Sequence, residues 1–227
     1  MTLLDRNLAN LHQFWSTLAH TKASNVHRHT SWPNKVWRSD FKAIDQNAWQ
    51  QHVCVTIEPN DFQRENYRNK LIAMGLEGAQ KHAISNKYIE RITSEERLKQ
   101  WANICGEAFG YLIDYKTLRP LLCDSNATIF AYIENGEICG TAIAYITNHT
   151  LGVHQVGVLK RYQGKGIGKA LMQHLLWFAE QNNCDFISLQ ASQAGLPMYL
   201  SMGFLELGAC YHLAEQQQDH NVKPSTK

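Results

Sequence analysis

Residues 156–169 read Val156-Gly157-Val158-Leu159-Lys160-Arg161-Tyr162-Gln163-Gly164-Lys165-Gly166-Ile167-Gly168-Lys169. An apolar stretch of strand character runs up to Leu159. Glycines then alternate at 164, 166 and 168. Behind them Ile167, Ala170, Leu171, Leu175 and Phe178 recur with helical period, which predicts a helix over 166–181. A strand that enters a glycine loop and opens a helix offers free backbone N–H groups at the positive end of the helix dipole. Such a loop grips a phosphate or pyrophosphate. Glycine lets the ligand approach the backbone and permits positive φ.

Two other phosphate loops are excluded by spacing. A Walker A loop needs Ser or Thr after Gly-Lys, and here Gly166 follows Gly164-Lys165. A Rossmann loop needs GxGxxG, and Lys169 stands where its third glycine belongs. A ligand-free turn is the bland reading, but three glycines at a helix start weaken a fold without some return.

Outward from the loop, residues 151–159 and 186–190 read as strands. Pro197 suits the first turn of a short helix that ends at Gly203-Phe204, and a last strand covers 205–213. Upstream, 127–133 and 138–146 are strands joined by Asn135-Gly136, a two-residue hairpin signal. Before them come a helical piece over 115–122, a helix capped by Thr93 or Ser94, and a short strand at 88–92. From 88 on, the expected order is β-α-α-β-β-β-α-β-α-β, a mixed sheet with helices on its faces. In the first third, Leu4, Leu8, Leu11, Trp15 and Leu18 mark a helix over 3–19. Residues 21–34 read as a loop, 35–41 and 52–58 as strands, and 62–74 as a helix closed by Gly75. Trp15, Trp32, Trp37 and Trp49 are either core or an aromatic wall.

Two segments together resemble the GCN5-related N-acetyltransferases (GNATs). Gln163-x-x-Gly166-x-Gly168 is similar to that family's Q/R-x-x-G-x-G/A signature. The segment Ala191-Ser192-Gln193-Ala194-Gly195-Leu196-Pro197-Met198-Tyr199-Leu200-Ser201-Met202-Gly203-Phe204 is similar to its N/S-x-x-A/G-x-x-L-Y-x-x-x-G-F segment. The resemblance covers about residues 88–213 and leaves the first eighty or so unexplained. It implies an α/β (α+β) fold: a mixed, mostly antiparallel GNAT sheet flanked by helices, with an N-terminal α/β extension. Residues 1–85 are then an extension or a degenerate partial copy of the fold, 86–213 the transferase domain, and 214–227 a polar, disordered tail.

The resemblance also implies a reaction: a free amine attacks the thioester of acetyl-CoA directly in a ternary complex. Val156, Gly157, Val158, Gln163, Gly164, Lys165, Gly166, Ile167, Gly168, Lys169 and Ser192 would hold coenzyme A, with the Val158 N–H reaching the thioester carbonyl. Tyr199 takes the family's acid position. A base is harder to assign. Gly152 stands where some relatives carry Glu, so His154, acting through water, is the first choice, with Gln155, Glu107 and Glu134 behind it. The expected acceptor is a small-molecule amine. A protein N-terminus or lysine, or a non-catalytic acyl-CoA sensor, are the alternatives. Relatives of this kind also raise a homodimer.

The remaining composition narrows partners and setting. With 44% hydrophobic residues in 227, the chain can build a real core. A net charge of +2 without long Lys/Arg blocks argues against nucleic acid. No apolar run approaches the roughly 20 residues that span a bilayer, so no membrane partner is expected. The cysteines Cys54, Cys105, Cys123, Cys139, Cys184 and Cys210 form no CxxC pair, and the eleven histidines form no HExxH, so no metal is expected. Reduced thiols point to the cytoplasm.

Overall fold

The computed structural model describes residues 1–18, 20–45, 52–59, 65, 67–78 and 84–213. The chain runs α1 (Leu3–Thr17), β1 (His20–Ala23), β2 (Val26–His29), β3 (Lys35–Arg38), β4 (Val53–Glu58), β5 (Asn69–Glu77), β6 (Ile89–Arg91), α2 (Glu95–Phe109) and α3 (Tyr115–Leu118). A 3-10 turn (Arg119–Leu122) follows, then β7 (Ala127–Glu134), β8 (Glu137–Thr147), β9 (Thr150–Val158), α4 (Ile167–Gln181), β10 (Phe186–Ala191), α5 (Leu196–Ser201) and β11 (Leu205–Leu213). The strands join in one sheet of order β1-β2-β3-β4-β11-β5-β10-β9-β8-β7-β6. The β9–β10 and β3–β4 pairings are parallel, and the others are antiparallel. This is the mixed, mostly antiparallel sheet flanked by helices that the sequence led us to expect.

Local chemistry explains the boundaries. Thr2 caps α1 by accepting from the Asp5 N–H, while the Asp5 carboxylate accepts from the Thr2 N–H. Ser94 caps α2, and Gly110 ends that helix in the left-handed region at φ 76°. Asn135 and Gly136 both take positive φ between β7 and β8, as a two-residue hairpin requires.

Two expectations in the first third fail. Residues 21–34 are not a loop throughout, since 20–29 form the β1–β2 hairpin. Its strands are short and polar at the sheet edge, so they carry no apolar alternation to read. They are held instead by rings: His27 and His29 lie 5.2 and 4.6 Å from the Trp37 ring, which is fully buried. The helix over 62–74 is also wrong where it can be seen. Residues 62–64 and 66 lie outside the described residues, and from Asn69 the chain is the strand β5. Leu71-Ile72-Ala73-Met74 is an apolar run flanked by β10 on one side and β11 on the other, and such a run fits a central strand as well as a helix. Gly75 does not close a helix. It sits opposite Ser188 in mid-strand, where a Cβ would fall 2.5 Å from the Phe186 ring. The sheet therefore crosses position 85 without a break. Trp49 and the tail 214–227 lie outside the described residues.

The sheet has a core on each face. Against one face, α4 packs Ile167, Leu171, Leu175 and Phe178 over Met74, Ala142, Leu151 and Leu189. On the other, α2 brings Leu98, Trp101 and Cys105 against Ile129, Ile143 and Tyr145, with Phe14 of α1 and Leu18 just past its end completing the cluster. The helix α1 is stitched to the sheet by polar side chains that the apolar stripe did not reveal. Asn7 and Asn10 are fully buried. Asn7 Nδ2 donates to Met74 O (2.9 Å) and Leu189 O (3.2 Å), and its Oδ1 accepts from Gln190 Nε2 (2.8 Å). Arg6 donates to Thr150 Oγ1 and to Asp185, and its guanidinium lies over the Phe186 ring. Buried amides with satisfied partners fix one register of helix on sheet, because any slide leaves them unpaired.

The placement of β5 can be tested at its tightest contact. Gly75→Ala forces a methyl into the Phe186 ring and is expected to cost about 1–3 kcal/mol of stability, read as a lower midpoint in urea denaturation.

Candidate active site

Strands β9 and β10 run side by side from Thr150↔Phe186 to Val153↔Leu189 and have no paired residues beyond that point. Beyond Ala191, the end of β10, the chain turns into α5. The second half of β9, residues 154–158, is thus paired with β8 on one edge only, and a cleft opens on the other.

A bulge sets what faces this cleft. The β8–β9 register shifts between Thr141 and Ile143, and Gln155 takes φ 52°. One inserted residue reverses the alternation of side chains along a strand. Before the bulge, Leu151 and Val153 belong to the α4-side core. After it, Val156 and Val158 do. Gln155 and Gly157 turn instead toward α2. Gln155 Oε1 accepts from Cys105 Sγ at 3.5 Å, and a Cβ on Gly157 would meet the Phe109 ring at 2.9 Å. Thr141 Oγ1 donates to the Gln155 carbonyl at 3.0 Å and holds the bulge in place.

Backbone polarity follows from the same ladder. Leu159 donates to Cys139 O at 3.0 Å, so in the antiparallel alternation Gly157 also bonds to β8, while the N–H and C=O of Val158 point toward the open edge. Val158 O accepts from Gln163 Nε2 at 3.1 Å. Gln163 therefore ties the glycine loop to the end of β9 and does not reach out of the loop.

The loop has the geometry its sequence implied. Gly164 and Gly166 take φ 77° and 81°, and no heavy atom lies near the Cβ position of either. Gly166 caps α4 without any side-chain hydrogen bond. Among the described residues, none of the six amides from Gly164 to Lys169 donates to a protein acceptor; the first helical bond is Ala170 N–H to Gly166 O at 2.9 Å. Open donors of this kind at a helix N-terminus are the chemistry that suits an anion. The Lys165 ammonium lies 4.7 Å from the Tyr162 ring centroid. Arg161 is committed elsewhere, to Glu107 (3.3 Å) and Glu137 (3.8 Å).

The helix α5 closes the other wall. A Cβ on Gly168 would lie 3.5 Å from Met198 Sδ and 3.9 Å from Val158 Cγ2, so α5, the first turn of α4 and the open end of β9 meet there. Met198 is a wall residue that the sequence reading did not single out, because a lone methionine before Tyr199 carries no signal of its own. Tyr199 is 7% exposed, packs edge-on to Phe204 at 5.8 Å, and is pushed up to about 12 by burial. Such a phenol keeps its proton throughout the physiological range. Gly195 makes room for it, since a Cβ there would sit 3.0 Å from the ring. Ser192 spends its hydroxyl and carbonyl on the Gly195 and Leu196 amides, which turns the chain into α5.

His154 sits deeper than its neighbours in the sequence suggest. It is 9% exposed, its ring stacks on Phe14 at 3.9 Å and 7°, and burial drives it down to about 3. Such a ring stays neutral near pH 7 and is a weaker base than a free imidazole. The helix α1, which encloses it, lies so far away in the chain that the sequence around 154 could not announce the enclosure. Glu107, on the α2 side, is ion-paired with Arg161. Among the described residues no group of three or more His, Cys, Asp or Glu could hold a metal ion, and no helix is long and apolar enough to cross a membrane.

Comparison with known proteins bears on these features. The model of the acetyltransferase (GNAT) family matches residues 89–204. The N-alpha-acetyltransferase RimI of Mycobacterium tuberculosis is 35% identical over 77 residues, which is 30% of this chain and 49% of that protein. The chain thus spans about half the length of this curated relative. Two solved structures share the fold over nearly the whole chain. A GNAT-family protein from Novosphingobium aromaticivorans has a TM-score of 0.63 at 14% identity, covering 95% of this chain and 100% of its own. A GCN5-related N-acetyltransferase from Kribbella flavida has a TM-score of 0.64 at 13% identity, covering 93% and 95%. The likeness includes the first third, which the sequence motifs left unexplained.

The buried histidines make a prediction about acid. His154 and His29 both sit near 3, against an ordinary 6.5, mainly through burial. Between those values the unfolded chain binds protons that the folded chain refuses, so stability rises with pH across that window and is complete above about 6.5. Chemical denaturation should show a falling midpoint from pH 6.5 to 4, and His154→Gln should flatten part of that fall.

Proposed function

The chain belongs to the acetyltransferase (GNAT) family, and from that premise we propose that it transfers the acetyl group of acetyl-CoA to a primary amine, in one direct step within a ternary complex. The observation that carries this reading is the row of six unsatisfied amides from Gly164 to Lys169, beside the unpaired edge of β9. Both features fit coenzyme A. The loop amides suit a diphosphate, with Lys165 and Lys169 adding charge, and the Val156 and Val158 backbone suits an extended amide-bearing arm that pairs as an added strand. When bound, acetyl-CoA supplies a thioester carbonyl activated for attack by nitrogen.

The residues have separate tasks. The Val158 N–H donates toward an oxyanion at the open edge. Tyr199 holds a proton at its Oη for the departing sulfur; burial pushes its pKa up to about 12, so the phenol stays protonated and its donation depends on position beside the thiolate. The amine must arrive neutral. A simple alkylamine with a pKa of about 10.4 is neutral in only about one molecule in a thousand at pH 7.4, a deficit of about 4 kcal/mol. With His154 enclosed and neutral, water carries that proton away.

The acceptor we favour is the amine of a small molecule. A protein N-terminus is the second reading, favoured by the identity with N-alpha-acetyltransferase RimI. Free cysteines among the described residues fit a cytoplasmic setting. We assign residues 86–213 the transfer chemistry and residues 1–85 the support of the acceptor side.

Free-thiol release from acetyl-CoA, measured against spermidine, kanamycin, free amino acids and a peptide with a free N-terminal alanine, tests the reading. Turnover with none of these, together with no calorimetric binding of coenzyme A, would falsify it. Tyr199→Phe should lower kcat about a hundredfold with the melting temperature kept. Gly166→Val, which forces a branched side chain to φ 81°, should weaken coenzyme A binding roughly tenfold.

A further inference from the structure

Four histidines crowd Trp37 where the β1–β2 hairpin meets α1: His12 from α1, His20 from β1, and His27 and His29 from β2. Three of them either use a bare ring nitrogen or enclose one. His12 Nδ1 accepts from Trp37 Nε1 at 3.1 Å, so it carries no proton. His29 Nδ1 accepts from the Lys35 N–H at 3.2 Å, while its Nε2 donates to the Trp15 carbonyl at 3.3 Å. His27 Nδ1 is buried with no hydrogen-bond partner among the described residues. A second proton on His12 or His29 can enter only by displacing the Trp37 or Lys35 donor. A doubly protonated His27 would leave a buried N–H without an acceptor.

We propose that this cluster is an acid-sensitive latch: its neutral imidazoles hold the β1–β2 hairpin against α1, and their protonation releases the hairpin before the rest of the sheet yields. The surrounding charges favour release. His12 faces His20 and Lys22 of β1, and His27 faces those two and His12. His29 faces His20, Lys35 of β3 and His52 just before β4. Among the described residues no carboxylate acts on any of the three, so a proton gained meets only like charge or a neutral ring. Burial first, and those neighbours after it, hold His27 down to about 4 and His29 to about 3, and lower His12 too; only the bond to the Trp15 carbonyl pulls His29 the other way. The attachment is also short. The edge strand β1 has only β2 beside it, β2 pairs β3 over three residues, and β3 pairs β4 over two. Segments held by so few ladder bonds open first. Released rings regain an ordinary pKa of about 6.5, so docking is complete above that value and weakens as pH falls toward 4. Three rings released together take up as many as three protons, which shifts the docking equilibrium by up to about a thousandfold per pH unit. The helix so freed is the one that stacks Phe14 on His154 and bonds to β8 and β10, so the latch bears on the support of the site.

Hydrogen exchange of the full chain, read peptide by peptide from about pH 7.5 to 4.5 and corrected for the intrinsic rate at each pH, tests the latch. Protection of residues 20–29 should fall at least about a hundredfold across that range, while β7 to β10 lose less than about tenfold. Equal loss in both regions, or a hairpin as protected in acid as at neutral pH, overturns the proposal. His12→Asn and His29→Asn each set an amide oxygen near the place of Nδ1, which keeps the acceptor and takes no proton. The double variant should keep its hairpin protected in acid, and opening like the wild type removes the histidines from the device. Should that variant not fold, His27→Gln, which removes no hydrogen bond at Nδ1, should make the loss shallower with pH. An equally steep loss there counts against the latch. The readout needs no substrate and stands apart from the transfer reading.

Discussion

Two parallel strands that stop pairing create everything else in this site. Up to Val153 and Leu189 the β9–β10 ladder is closed. Past them, each strand would leave polar backbone facing the other across empty space, so both must find other partners. On β10 only the β5 edge stays paired, through Ala191, and the edge toward β9 loses its partner after Leu189. On β9 only the β8 edge is met, and the Val158 amide is left over. An unpaired strand edge beside an uncapped helix N-terminus is a standing demand for hydrogen bonds.

That opening needs support, because parting strands lose ladder energy. The support comes from the first third of the chain. The strand β5 sits between β10 and β11 and gives each a full antiparallel partner. The helix α1 bridges the sheet through Arg6, Asn7 and Asn10, whose partners lie on β5, β8 and β10, at the start of β9, and in the loop before β10. The Gln155 bulge adds the last element. It sends Val156 and Val158 to the α4 and α5 side and leaves Gly157 clear under Phe109. Without that one residue of phase, the side chains past 155 would face the opposite way.

The aromatic and histidine residues of the first third serve the same end. Trp37 is ringed by His12, His20, His27 and His29, and Trp37 Nε1 donates to His12 Nδ1 at 3.1 Å. Trp15 packs edge-on to both Trp37 and Phe41. These contacts tie β2 and β3 to α1, and so fix the helix whose asparagines bond to β5, β8 and β10. They favour the core reading of Trp15 and Trp37 over an exposed aromatic wall.

The sequence by itself determined what is local. Alternating glycines before an amphipathic run specify a helix start with bare amides. Asn135-Gly136 specifies a hairpin, and Ser94 a helix cap, because each acts through atoms within a few residues. The segment around Tyr199 is legible for the same reason. Only the tertiary structure decided which strand neighbours which, and hence what encloses a side chain. The apolar run at 71–74 fits helix or strand until β10 and β11 flank it. His154 looks like a neutral-pH base until α1, some 140 residues earlier, stacks Phe14 on it. Burial and pairing are properties of distant neighbours, and a linear pattern carries no record of them.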